Sequence, residues 1–362
     1  MKILLLSAYH AYSHRLWCDQ LIKTFPNYSW MLLALAPRFF NWRIRGNGLI
    51  WRSSDNETLS QNFDLIIATS MTDLNSLFGF YPHLSSNPSI LYFHENQFAY
   101  PTTDNARDNV EPKLVQFYSA LTSTKVVFNS EYNRQSFLNG VKKLITKLPD
   151  DLPISLIGEI NEKSRVLPVP IDDKNFIRSK EKANKFSICW NHRWEYDKWP
   201  ECFFQALMQL SEKDIPFDLY VFGQQFRQTP PVFTKMEIQL AKHIRHWGWV
   251  EDEENYQAQL AKCHVSVSTA LHDFQGLAML DASAAGVVAV VPDRLAYSEW
   301  FDKRSCYVSN TDNLQQQVTI LANVLEKLYF DYKGGQLKKS TDVAWLSWES
   351  MKDSYQQLIE NT

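Results

Sequence analysis

In HDFQGLAMLD, residues 272–281, two aspartates eight positions apart, Asp273 and Asp281, bracket a largely apolar stretch. A carboxylate accepts two hydrogen bonds from vicinal hydroxyls, so the chemistry it suits is recognition of a ribose or a sugar. Gly276 between them lets backbone approach a ligand, and Leu277 onward predicts a helix whose first amides favour an anion. As plain structure, Asp273 reads as a helix N-cap. Asp281 resists the matching reading as an exposed helix residue, because Met279, Leu280 and Ala282 flank it.

Further stretches carry reactive groups. WNHRWEYDKWPE, residues 190–201, contains Arg193 and Lys198. In a strand-to-helix loop these suit a diphosphate, Arg through its planar fork and Lys as a point charge. The structural alternative is a polar loop in which Glu195 and Asp197 neutralise the same cations. LYFHENQFAYP, residues 91–101, sets His94, Glu95, Asn96 and Gln97 in a row at the end of an apolar run. A core histidine or a capping asparagine explains one or two of them; four together favour a site. In SAYHAYSH, residues 7–14, His10, Ser13 and His14 stand where a glycine-rich loop often occurs. No G-x-G-x-x-G is present there, which weakens a simple dinucleotide-binding reading.

A basic patch completes the set. From Gln20 to Ser54 no acidic residue occurs, while Lys23, Arg38, Arg43, Arg45 and Arg52 give +5. Phe39, Phe40, Trp42 and Trp51 are interleaved with them, the composition of phosphate contacts plus base stacking. A solvated basic face over an aromatic cluster is the plainer reading.

The elements that must position these groups are short apolar runs. KILLLSA (2–8), FDLIIATS (63–70), SILYFHE (89–95), KVVFNS (125–130) and SRVLPV (164–169) predict strands buried on both faces, as in a parallel sheet. The pattern restarts with FSICW (186–190), DLYVFG (218–223), HVSVSTA (264–270) and VVAVVP (287–292). The predicted fold is therefore α/β, with two doubly wound Rossmann-like domains over 1–168 and 169–344, and a C-terminal helix at 345–362 able to pack back on the first. Ligands of such sheets bind beyond the carboxyl ends of strands, which is where the unusual residues fall.

Composition agrees with a globular chain of 362 residues, 45% hydrophobic and 21% charged. WMLLALAP is far short of the roughly 20 residues needed to span a bilayer, so no membrane role is expected. Five scattered cysteines fit a cytoplasmic protein. At a net charge of −3, a polyanionic partner must be met by a local patch. No cysteine–histidine spacing suits zinc and no DxD-like pair follows a strand, so no metal and no cofactor is expected.

The chain resembles the retaining family-4 glycosyltransferases of GT-B fold, whose two Rossmann-like domains face a central cleft. ILYFHENQFAYP, NHRWEYDKWPECFF, HWGWVEDEENY and STALHDFQGLAMLDA are similar, more specifically, to the tRNA-queuosine mannosyltransferase family. That resemblance implies a GDP-mannose donor, a queuosine-modified tRNA acceptor of the aspartate type, and transfer with retention. It further implies that Arg193 and Lys198 hold the diphosphate, Asp273 meets the sugar hydroxyls and Asp281 binds the ribose. Phe274, Gly276 and Leu277, with Ser13 and His14, would complete the donor site, and His94 would lie near the transferred sugar. Glu95, Asn96 and Gln97 would face donor or acceptor. NWRIR, with Trp42, Arg43 and Arg45, resembles the family's WxWRxR stretch and implies tRNA contact. Asp273 and Asp281 stand where the wider E-x7-E pattern has glutamates, so each carboxylate reaches one methylene less far. Two rivals stay open: a transferase of the same fold acting on a lipid or glycan, and a non-catalytic tRNA-binding protein with a vestigial nucleotide site.

Overall fold

Six short strands, β1 (Lys2–Ser7), β2 (Ser29–Ala34), β3 (Leu65–Thr69), β4 (Ser89–Phe93), β5 (Lys125–Phe128) and β6 (Ser164–Val166), form an all-parallel sheet in the order β2-β1-β3-β4-β5-β6. This computed structural model describes residues 1–100, 109–176, 182–225 and 229–362. β3 and β4 are buried along their whole length because helices cover both faces, which is why their sequences are continuously apolar.

A second parallel sheet contains β7 (Ser187–Trp190), β8 (Asp218–Phe222), β9 (Ile244–Gly248), β10 (Val265–Val267), β11 (Val288–Pro292) and β12 (Cys306–Tyr307). Its order is β12-β11-β10-β7-β8-β9. The chain steps outward from β7 to β9, then returns to the other side of β7 with β10, so the direction of winding reverses between β7 and β10. Ligands of open parallel sheets bind beyond the strand ends at such a switch point.

Contacts divide the chain into one unit of Met1–Pro170 with Trp348–Thr362 and a second of Ile171–Ser347. In the first, Phe93, Phe128 and Phe137 stack at the core. The C-terminal helix Trp348–Glu360 buries Trp348, Met351, Tyr355, Leu358 and Ile359. Its Tyr355 hydroxyl donates to the Pro168 carbonyl at 2.9 Å and accepts from Trp17 Nε1 at 3.1 Å. In the second unit, the helix Pro200–Glu212 buries Phe203, Phe204, Leu207 and Leu210, and packs against the helix Leu314–Lys333.

Three strands escaped the sequence pattern, among them β12, only two residues long. β2 and β9 lie at sheet edges and are largely half-exposed, so neither presents a continuous apolar run. Among the described residues no helix is long and apolar enough to cross a membrane.

Candidate active site

The loops after β7 and β10 meet at the switch point of the second sheet, and both carry charge. After β7 the chain runs through Asn191 to Trp199, then starts the helix Pro200–Glu212 with proline in its first turn. Trp199 adopts a left-handed backbone, φ 51°, which costs a residue with a Cβ about 1 kcal/mol or more. Thr269 of the other loop holds the turn, its hydroxyl donating to the carbonyls of Lys198 (2.7 Å) and Trp199 (2.9 Å). The backbone N–H of Leu271 donates to the Asp197 carbonyl at 2.8 Å, lacing the loops together.

That lacing buries Lys198. Its ammonium donates to the His272 carbonyl at 2.6 Å and lies 3.2 Å from Asp197 Oδ2 and 3.6 Å from Asp273 Oδ2. Asp273 is fixed twice more: Oδ1 accepts the Gly276 N–H at 2.9 Å, and Oδ2 accepts the Tyr297 hydroxyl at 3.1 Å. Burial opposes its charge, but Lys198, followed by the neighbouring histidines and the Gly276 N–H, outweighs it and holds the carboxyl down at about 2. Asp273 is thus an anion at every physiological pH. Burial, reinforced by Lys198, lowers His192 and His272 to about 4, so both imidazoles are neutral there. Arg193 is half-exposed at the rim and forms an ion pair with Glu195 at 3.0 Å. The polar-loop alternative is therefore realised in its pairings, with the difference that Asp197 and Lys198 are buried rather than solvated.

Gly276 is the N-cap of the helix Leu277–Ala284, at φ 79°, and Asp273 binds its N–H from outside the helix instead of serving as the cap itself. A Cβ on Gly276 would fall 2.5 Å from the Tyr297 ring, displacing the hydroxyl that holds Asp273. Gly276→Ala is expected to destabilise the protein by ~1–2 kcal/mol, read from denaturant midpoints, through strain at a positive φ and loss of the Tyr297 bond. Phe274 is buried edge-on to His272, and Leu277 is half-buried at the helix start.

Asp281 belongs to a separate cluster. Its Oδ1 accepts from Asn175 Nδ2 at 3.0 Å, and it shares no hydrogen-bond or ion-pair partner with Asp273 among the described residues. Burial raises its carboxyl to about 7; Asn175 opposes the rise, and Asp172 and Glu253 add to it. The folded state therefore holds a proton that the unfolded chain releases near 4, and stability falls as pH rises from about 4 through 7. Three pK units correspond to ~4 kcal/mol, which the carboxylate's partial exposure reduces to ~2 kcal/mol. Asp281→Asn is expected to be more stable than the parent by that amount at pH 8 and no more stable at pH 3.5, read from denaturant midpoints.

In the first unit, His94 follows β4 and is buried against His14, Trp17 and Tyr92, with the His14 ring 4.3 Å away. Neither of its ring nitrogens has a hydrogen-bond partner among the described residues, and burial, with His14, depresses its pKa well below the usual value. His14 is fixed through Nδ1 to the Tyr9 carbonyl at 2.9 Å, while Ser13 is exposed on the same helix, Tyr12–Thr24. The Glu95 carbonyl accepts from Ser70, and the Gln97 N–H donates to Gln116 Oε1 at 2.7 Å. Asn96 is buried, donating to Asn133 Oδ1 (2.8 Å) and Ser136 (2.9 Å) and accepting from two backbone N–H groups. Its amide is thus spent on holding the loop. Pro101, the end of that motif, lies outside the described residues.

The basic stretch forms the helix Phe40–Ser54. Trp42 is exposed with its ring over Gly46, and Arg45 pairs with Asp73 at 2.7 Å and with Glu111 at 3.7 Å. Arg43 has two buried guanidinium nitrogens without a partner among the described residues. Sequence reasoning passed over Tyr297, Thr269 and Asn175. No local spacing marks them, since each reaches its partner across 24 or more positions. Among the described residues no group of three or more His, Cys, Asp or Glu side chains is placed to hold a metal.

Comparison with known proteins places this geometry. Residues 2–171 match the model described as tRNA-queuosine alpha-mannosyltransferase N-terminal, and residues 186–327 match glycosyl transferases group 1. The chain is 29% identical over 321 residues to the tRNA-queuosine alpha-mannosyltransferase of Drosophila melanogaster, covering 86% of this chain and 84% of that protein. Among solved structures, sucrose-phosphate synthase from Thermosynechococcus elongatus has a TM-score of 0.72 at 13% identity, with 100% of both chains covered. Anabaena HepE in complex with UDP and glucose gives the same TM-score, identity and coverage. These structural likenesses establish the fold, GT-B. An N-terminal half that matches the queuosine-type model is thus joined to a half that matches group 1 transferases, and the chain is a glycosyltransferase similar to the tRNA-queuosine alpha-mannosyltransferases.

Proposed function

We propose that the protein transfers mannose from GDP-mannose, with retention, to the queuosine of tRNA(Asp). The observation that carries this reading is the Lys198–Asp273 pair at the switch point of a group 1 transferase unit, in a chain whose N-terminal half is of the queuosine type. In the proposed reaction the bond from the sugar's anomeric carbon to the phosphate oxygen breaks as the bond to the acceptor hydroxyl forms on the same face. The departing phosphate oxygen takes the hydroxyl proton, giving GDP and the mannosylated nucleoside. Arg193, Lys198 and the N-terminus of the helix Leu277–Ala284 stabilise the charge that develops on the leaving group, so the reading needs no metal.

Asp273, oriented by Tyr297, accepts from the sugar hydroxyls, and Asp281 accepts from the ribose diol. Phe274, Gly276 and Leu277 line the donor, Ser13 and His14 belong to the same set, and His94 bonds the transferred sugar. Trp42, Arg43, Arg45, Glu95 and Gln97 serve the tRNA, and the protein works in the cytoplasm. Arg43 supports this part of the reading: two of its guanidinium nitrogens have no protein partner among the described residues and need only turn outward to meet a phosphate, whereas Arg45 must first leave Asp73.

The test is to incubate purified protein with queuosine-containing tRNA and a panel of sugar nucleotides, then weigh the nucleoside. A hexose gain with GDP-mannose alone is expected. Gain from another donor overturns the mannosyl assignment, and tRNA binding without gain from any donor favours a non-catalytic binder. Arg43→Ala is expected to weaken tRNA binding and to reduce the slope of log K against log salt by about one, in a filter-binding series.

A further inference from the structure

His192 stands between the end of β7 and Arg193, and none of the roles above uses it. Its side chain is 3% exposed, edge-on to Trp190 with ring centroids 5.1 Å apart, and its Nε2 is buried without a hydrogen-bond partner among the described residues. Leaving such a nitrogen unpaired costs about 1–3 kcal/mol, a cost that a bound partner removes.

The position is built rather than incidental. Gly223, at the end of β8, has φ 125°, and a Cβ there would fall 1.9 Å from the His192 carbonyl oxygen. The β8 end is therefore pressed against this loop, and only glycine admits the approach. Around the imidazole, Lys198, Asp273, Asp197 and Arg193 are all near enough to act on its charge. Two of these are the cations assigned to the diphosphate.

We infer that His192 is a direct donor-site ligand: with its proton on Nε2, it donates a hydrogen bond to a phosphate oxygen of the nucleotide diphosphate, beside Lys198 and Arg193. The inference rests on the nucleotide-sugar reading of this site. Because burial keeps the ring neutral, it adds a bond without adding charge, and its contribution is level between pH 6 and 8.

The experiment titrates GDP into the full-length protein by calorimetry, comparing the parent with His192→Phe and His192→Gln. Phe fills the space without a donor, and Gln restores an N–H at similar reach. His192→Phe should bind GDP about tenfold more weakly, ~1.4 kcal/mol, with His192→Gln within about threefold of the parent. Equal affinity for the parent and His192→Phe overturns the inference, as does equal weakening in both variants, which would indicate shape alone. If His192→Phe fails to fold, nitrogen-labelled histidine spectra of the parent decide: the Nε2 resonance of His192 must move on adding GDP, and an unmoved resonance overturns the inference. A parent that binds no nucleoside diphosphate refutes the nucleotide-sugar reading itself, and the role of His192 falls with it.

Discussion

Lys198→Met is expected to reduce hexose transfer by ~10³-fold or more and to destabilise the protein by ~3 kcal/mol at pH 7. Both losses have one origin. Lys198 is buried between Asp197 and Asp273, so removing its charge leaves the buried Asp197 carboxylate and the half-buried Asp273 carboxylate with no ammonium between them. The pH dependence follows from Asp273, whose folded carboxyl sits at about 2, below its ordinary 3.8. A depressed acid contributes stability above its unfolded pKa and loses it as pH falls through the folded one. Without Lys198 the largest lowering influence is gone while burial still opposes the charge, so the carboxyl rises. The stability gap between parent and variant should therefore be widest at neutral pH and narrow steadily below about pH 4. Melting curves at pH 7 and pH 3.5 check this, and a gap that stays constant with pH would remove Lys198 as the counter-ion of Asp273.

Arg193→Ala is expected to lose transfer by ~10²–10³-fold while melting within about a degree of the parent. Arg193 is half-exposed, and its ion pair with Glu195 is of the solvated kind worth ~0–1 kcal/mol. If it grips the departing diphosphate, its loss falls on the transition state and appears in kcat more than in KM. Intact transfer in this variant would remove Arg193 from the proposed site. The two variants are thus expected to separate: Lys198→Met loses stability and transfer together, Arg193→Ala transfer alone.

Much of this architecture is legible in the linear chain. The buried central strands announce themselves as continuous apolar runs, and the loops with Arg193, Lys198 and Asp273 stand out because charged residues follow such runs directly. The family resemblance rests on the same blocks and is shown by the N-terminal and group 1 matches. The edge strands β2 and β9 are less legible, since a strand exposed on one side mixes polar with apolar residues. Asn96 shows what the chain order hides: a polar residue after a strand reads as a ligand contact, and in the fold its amide bonds Asn133, Ser136 and two backbone N–H groups.

The sequence by itself determined where the buried central strands lie, which loops carry charge and which residue types stand in them, because these follow from local apolar patterning and adjacency along the chain. Only the tertiary structure decided the state of each group. Asp273 is an anion and Asp281 a reluctant one although both are aspartates on one short segment, because Lys198 faces the first, and Asn175, Asp172 and Glu253 surround the second. Those partners lie 28 to 109 positions away from the aspartates along the chain, and a pKa is set by distance in space.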